Sequence, residues 1–127
     1  MIGDAGLRRA LWASVPYNVF GALMFGFPES LGSFAGLPVP VPHVYTLSLA
    51  VLVLLFGATY AWLAVQPRID RPLVAFSAIG KASVFTVVLV CWLRGEGPGL
   101  GVLAACGDLA FAAVFASWLR GDGTAAA

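Results

Sequence analysis

Apolar and polar positions divide the chain into four long apolar stretches, 7–27, 43–65, 72–93 and 100–119, separated by gaps rich in helix breakers. Each stretch is close to the roughly 20 residues that a helix rising 1.5 Å per residue needs to cross a hydrocarbon core of about 30 Å. Period-two alternation is absent, so a membrane β-barrel is not expected. The gaps are punctuated by Pro28, Gly32, Gly36, Pro38, Pro40 and Pro42, then by Pro67 and Pro72, then by Gly95, Gly97, Pro98 and Gly99. Proline lacks the N–H that a helix interior uses, and glycine weakens the helix, so helices should stop there. The pattern predicts an all-α membrane protein, a four-transmembrane-helix bundle forming one domain over 1–127. The first gap has two readings: a short interfacial helix over 28–34 with Pro28 at its first position, or a proline-stiffened loop.

Composition narrows the class. Of 127 residues, 61% are hydrophobic and 10% charged, against roughly 45–50% and 25% in soluble domains. That excludes a water-soluble globule, and the low charge excludes disorder. A net charge of +1 with no basic run argues against nucleic acid as a partner; the expected partner is the lipid bilayer. Arg8, Arg9, Arg68, Arg71 and Arg120 fall on one side of the predicted bundle and Arg94 alone on the other. The excess of cations in short loops marks the cytoplasmic side, so both termini are expected in the cytoplasm. Trp12, Trp62 and Trp118 should mark the inner interface, and Trp92 and Tyr45 the outer one. Arg8-Arg9 before an apolar run imitates a signal peptide. That run is long, contains Tyr17-Asn18 and ends in Phe27-Pro28-Glu29, so a retained helix is expected.

The two cysteines, Cys91 and Cys106, lie at different depths in no Cys-x-x-Cys or Cys/His grouping. They are read as packing residues, and neither a metal site nor a cofactor is expected. His43, the single histidine, stands at the predicted outer mouth of the second stretch and is read as a polar residue at a helix start.

Candidate chemistry rests on residues that hydrocarbon cannot host alone. A charge at the centre of a single span costs about 2.5–3.5 kcal/mol on insertion scales, and Lys81 and Asp108 both fall near mid-span. Their midpoint lies between Arg94 and Gly95, where the last hairpin turns, so antiparallel helices bring them to one level. An ion pair is therefore expected. Asn18 falls in the same layer on a small, weakly polar face with Ser14, Gly21, Ala22 and Phe25. Tyr60 and Gly57 supply the second helix at that level, and Ser77 shares the face of Lys81. Tyr17 adjoins Asn18 but points about 100° away on a helix of 3.6 residues per turn, so the two are not expected to face one centre together.

Tyr17-Asn18, Phe27-Pro28, Gly36-Leu37-Pro38-x-Pro40, Gly57-x-x-Tyr60 followed by Pro67, Gly80-Lys81, Trp92-x-x-Gly95 and Gly107-Asp108-Leu109 occur in this order over nearly the whole chain. In this the chain resembles small bacterial four-helix membrane proteins of the broad DoxX-like kind. The resemblance implies a bacterial cytoplasmic (inner) membrane and treats Asn18, Lys81 and Asp108 as a unit. It implies no particular activity beyond an analogy with membrane redox or stress complexes.

Three readings of the Asn18–Tyr60–Lys81–Asp108 constellation stay open. It holds the helices in register, in a chain that serves as a homo-oligomer or as a subunit of a membrane assembly. It binds a small apolar, lipid-like or anionic ligand. Or it supports transport or proton coupling, although no inverted repeat between the halves is legible. An enzyme is a sub-case of the binding reading, with Asp108 as base and Lys81 as electrostatic stabiliser or desolvated amine, but no nucleophile–base pair or metal set supports it.

Overall fold

The computed structural model describes residues 2–121. Among them the regular structure is entirely helical: α1 (Asp4–Gly26), a single π-helical turn (Pro28–Gly32), α2 (His43–Val65), α3 (Arg71–Leu93) and α4 (Gly99–Gly121). The four long helices have 23 residues each, and their limits fall where the breakers predict. Pro28 opens the π-helical turn, so the first gap does contain a short helix. Asp70 caps α3 by accepting the backbone N–H of Leu73 at 2.9 Å, which satisfies one of the donors a helix start leaves orphaned. After α3, Gly95 takes a φ of +76°, a left-handed turn that glycine enters without a Cβ clash. Residues 122–127, the polar and alanine tail that follows the fourth stretch in the sequence, lie outside the described residues.

Three helices, α2, α3 and α4, are long and apolar enough to cross a membrane. α1 is equally long but carries Asp4, Arg8, Arg9, Tyr17 and Asn18, with Pro16 inside it. Large apolar side chains such as Phe20, Leu55, Val87 and Leu103 stand exposed around the helices. A contiguous apolar exterior suits a lipid environment and would be a liability in water.

The helices run up-down-up-down, and charged caps fix that order. Arg8, one turn into α1, donates to the carbonyls of Ala64 at 2.6 Å and Gln66 at 2.8 Å, where α2 ends. Arg71, the first residue of α3, donates to the carbonyl of Leu119 at 2.6 Å, where α4 ends. The last carbonyls of a helix lack intrahelical donors and sit at its negative pole, so a guanidinium there satisfies both needs. Each hairpin is thus tied at its open end by its own arginine. The hairpins are joined at the same end by Trp118, whose indole N–H donates to Asp4 at 2.8 Å. Trp118 is buried and belongs to this join rather than to an interfacial belt. Trp12, Trp62, Trp92 and Tyr45 are exposed.

The apolar core lies in the half of the bundle nearest the chain ends. Leu7 and Leu11 of α1, Tyr60 and Leu63 of α2, Val74 of α3 and Phe115 of α4 meet there, all fully buried. Beyond Lys81 the second hairpin changes character: no residue from 82 to 104 is buried. The polar layer marks the upper boundary of the shared core. Close approach of α1 and α2 at that level depends on Gly57, where a Cβ would stand 3.2 Å from the Cβ of Asn18. Gly57→Val is expected to force the two helices apart and cost about 1–3 kcal/mol. A drop in the midpoint of thermal unfolding in detergent checks this; an unchanged midpoint contradicts the packing described.

Candidate functional site

Lys81 stands at the middle of α3 with its ammonium enclosed by residues from all four helices. The turn between α3 and α4 brings Asp108 to its level, and Nζ donates to Oδ1 of Asp108 at 2.8 Å. A second bond crosses to the other hairpin, where Oδ1 of Asn18 accepts from Nζ at 3.2 Å. The Asn18 amide nitrogen in turn donates to the carbonyl of Val53 on α2 at 3.0 Å. Asn18 therefore uses both ends of its amide, one within its hairpin and one between hairpins. The expected ion pair is present, and Asn18 belongs to it.

Aromatic rings complete the enclosure. The centroids of Tyr17, Tyr60 and Phe111 each lie 5.0 Å from Nζ. A ring face carries negative charge density, and within about 6 Å it attracts a cation by ~0.5–2 kcal/mol, most when water is excluded. Lys81 is 3% exposed and Asp108 14%. An ammonium so far from water must recover its lost hydration from fixed groups; one carboxylate, one amide oxygen and three ring faces do so here. No buried side-chain polar atom among the described residues lacks a hydrogen-bond partner.

Tyr17 departs from the expectation. It reaches the same centre as Asn18, because the ammonium sits in the angle between their two directions. Asn18 points to α2 and Lys81, while Tyr17 points to α4 and lays its ring edge-on to Phe111 at 5.5 Å. The single proton of the Tyr17 hydroxyl is shared between two acceptors, the carbonyl of Ala104 and Oδ2 of Asp108 at 3.1 Å. The carboxylate is thus shared, one oxygen by lysine and one by tyrosine. Gly107 makes the room: a Cβ there would stand 2.6 Å from the Tyr17 ring.

Other expectations resolve differently. Tyr60 faces the ammonium with its ring, and among the described residues no hydrogen bond joins it to Lys81 or Asp108. Ser77 is buried on the lysine's face but donates to the Leu73 carbonyl of its own helix at 2.8 Å, so it stands outside the network. Gly57 serves the α1–α2 approach. Cys106 is exposed and Cys91 half-buried, so Cys106 is not a core packing residue. His43 begins α2 as an exposed residue. Phe111 was missed; its position three residues after Asp108, on one helical face, was the available signal. Gly107 was legible only as part of a motif, because its role depends on where Tyr17 lies.

Among the described residues, no group of three or more His, Cys, Asp or Glu side chains could hold a metal. An apolar groove between α1 and α2, lined by Val19, Leu23, Phe27, Leu47, Val51 and Leu54, involves none of the site residues. The arrangement around Lys81 holds an ammonium in place with partners drawn wholly from the chain. Asp108, at the seam of α1 and α4, is the less buried partner of the pair.

Tyr17→Phe keeps the ring and removes the hydroxyl, and is expected to cost about 2 kcal/mol, the scale of a hydrogen bond to a charged group. Gly107→Ala should cost more, since it displaces ring and hydroxyl together. Unfolding free energies in micelles check the order; a Gly107→Ala variant as stable as wild type contradicts it. No protein-family model, curated protein sequence or solved structure matches this chain.

Proposed function

We propose that the chain is a non-enzymatic integral membrane protein of four spans whose Lys81 centre is a clamp between two helical hairpins, and that it works as a small subunit of a membrane assembly. In this reading α1 crosses the bilayer with the others, its polar residues turned to the bundle. Both termini face the cytoplasm of a bacterial inner membrane, in line with the five-to-one distribution of arginines over the two sides. The DoxX-like kinship suggested by the ordered motifs is part of the same proposal.

One observation carries the clamp: the ammonium is almost wholly enclosed, and the groups that enclose it are divided between the hairpins. Asp108 and Phe111 lie on the hairpin of Lys81, while Asn18, Tyr17 and Tyr60 lie on the other. A binding site for an outside anion would leave the ammonium a free donor direction toward open space. Here two of its three N–H bonds hold helices, through Asp108 and Asn18, and rings rather than open space surround the rest. A second reading, ligand binding or proton coupling at the centre, is favoured by the partial exposure of Asp108 at the α1–α4 seam; there the carboxylate has an edge that solvent or a ligand can approach.

Native mass spectrometry of the protein released from its own membranes in mild detergent separates the two. The clamp reading expects wild type and Lys81→Met alike to carry protein partners or further copies, with no small molecule dependent on Lys81. A stoichiometric small molecule on wild type that is lost from Lys81→Met would overturn it and establish the binding reading.

A further inference from the structure

We infer that the two hairpins are copies of one structural unit, related by a local two-fold axis that passes through the polar centre. The first sign is a constant offset between α1 and α3. Arg8 and Arg71, which cap the second helices of their hairpins, are 63 residues apart. The same offset separates Ser14 from Ser77, both fully buried and both donating to the carbonyl four residues back in their own helix. It also separates Leu11 from Val74, each fully buried, and Asn18 from Lys81, the two residues at the centre.

α2 and α4 repeat the correspondence with a second constant offset. Tyr60 and Phe115, both buried in the core, are 55 residues apart. So are Leu63 and Trp118, and so are the small buried residues Ala50 and Ala105. Phe56 and Phe111 keep the identical residue type at this spacing. Each pairs with the aromatic residue one turn on, at 6.3 Å for Phe56–Tyr60 and 6.4 Å for Phe111–Phe115. The offset also relates Val53 to Asp108. Asn18 bonds to Val53 in one hairpin as Lys81 bonds to Asp108 in the other. The same staple is built twice, with an amide and a main-chain carbonyl in one copy and an ammonium and a carboxylate in the other.

Contacts between the copies supply the axis. Two positions that correspond under a two-fold can touch each other only where the axis passes. Asn18 and Lys81 touch at 3.2 Å, and the Tyr60 and Phe115 rings lie 5.9 Å apart. Off-axis contacts should recur in pairs, and one such pair lies beside the centre. The Tyr17 ring faces Phe111, and its counterpart Gly80 faces Phe56, with a Cβ at Gly80 placed 3.5 Å from that ring. Each corresponding helix also runs the same way, so the repeat is parallel, not inverted. The sequence conceals it because the most informative pairs, Asn18 with Lys81 and Val53 with Asp108, differ in charge. Sites at the interface of repeats near mid-membrane recur in membrane proteins, and this centre occupies that place.

Moving the charged staple from one copy to the other in the full-length chain tests the inference. The variant N18K/V53D/K81N/D108V puts the ammonium and carboxylate in the first hairpin. A register control carries L54D in place of V53D. The transposed variant is expected to fold and to melt within about 10 °C of wild type, a shift of a few kcal/mol at most for a chain of this size, while the control melts far lower or does not accumulate. A gentler pair guards against a general failure to fold: Arg8→Ala and Arg71→Ala should lower the melting temperature by similar amounts, and their effects should add. Equal behaviour of the transposed variant and its control, or an effect at one arginine with none at the other, overturns the inference.

Discussion

Hydrocarbon offers an ammonium nothing in place of water, and the structure is arranged around that constraint. Lys81 lies near the middle of α3 and is the one charged residue in that helix besides Arg71 at its start. Its charge is tolerable only if other helices bring polar groups to it at one level. Asp108, Asn18 and the three rings do so, and their convergence fixes the relative height of all four helices. Packing between apolar helices in lipid has little directional preference. A charged contact with few acceptable geometries supplies the direction that packing lacks.

The rest follows from that join. Below it the hairpins share a core and are locked by Trp118 on Asp4 and by two arginine caps. Above it the second hairpin buries only Ala105, one turn from Asp108. The polar layer is therefore the last point at which the hairpins hold each other firmly. Stabilising groups are concentrated on one side of it, and the exposed apolar surface lies mostly on the other.

Much of this was legible in the residues. Helix limits followed from Gly and Pro, because backbone breakers act locally. The Lys81–Asp108 pair followed from hairpin register, since a turn of known position converts sequence distance into height. What stayed hidden depended on angles between helices. Tyr17 and Asn18 diverge on one helix, and only the placement of Lys81 between them shows that both serve it. Phe111 looked like any apolar residue until the ammonium stood over its face. Ser77, on the right face and one turn away, turned to its own backbone, as hydroxyls on helices often do. The arginine caps were read only as topology signals, because their carbonyl acceptors leave no trace in side-chain sequence.

The most direct measurement is a double-mutant cycle on Lys81→Met and Asp108→Leu, followed by reversible unfolding in micelles. Either single change leaves a buried charge without its partner and should cost about 3–5 kcal/mol, while the double variant, with both charges gone, should recover most of that loss. Single variants as stable as wild type, or losses that simply add in the double, would contradict the account.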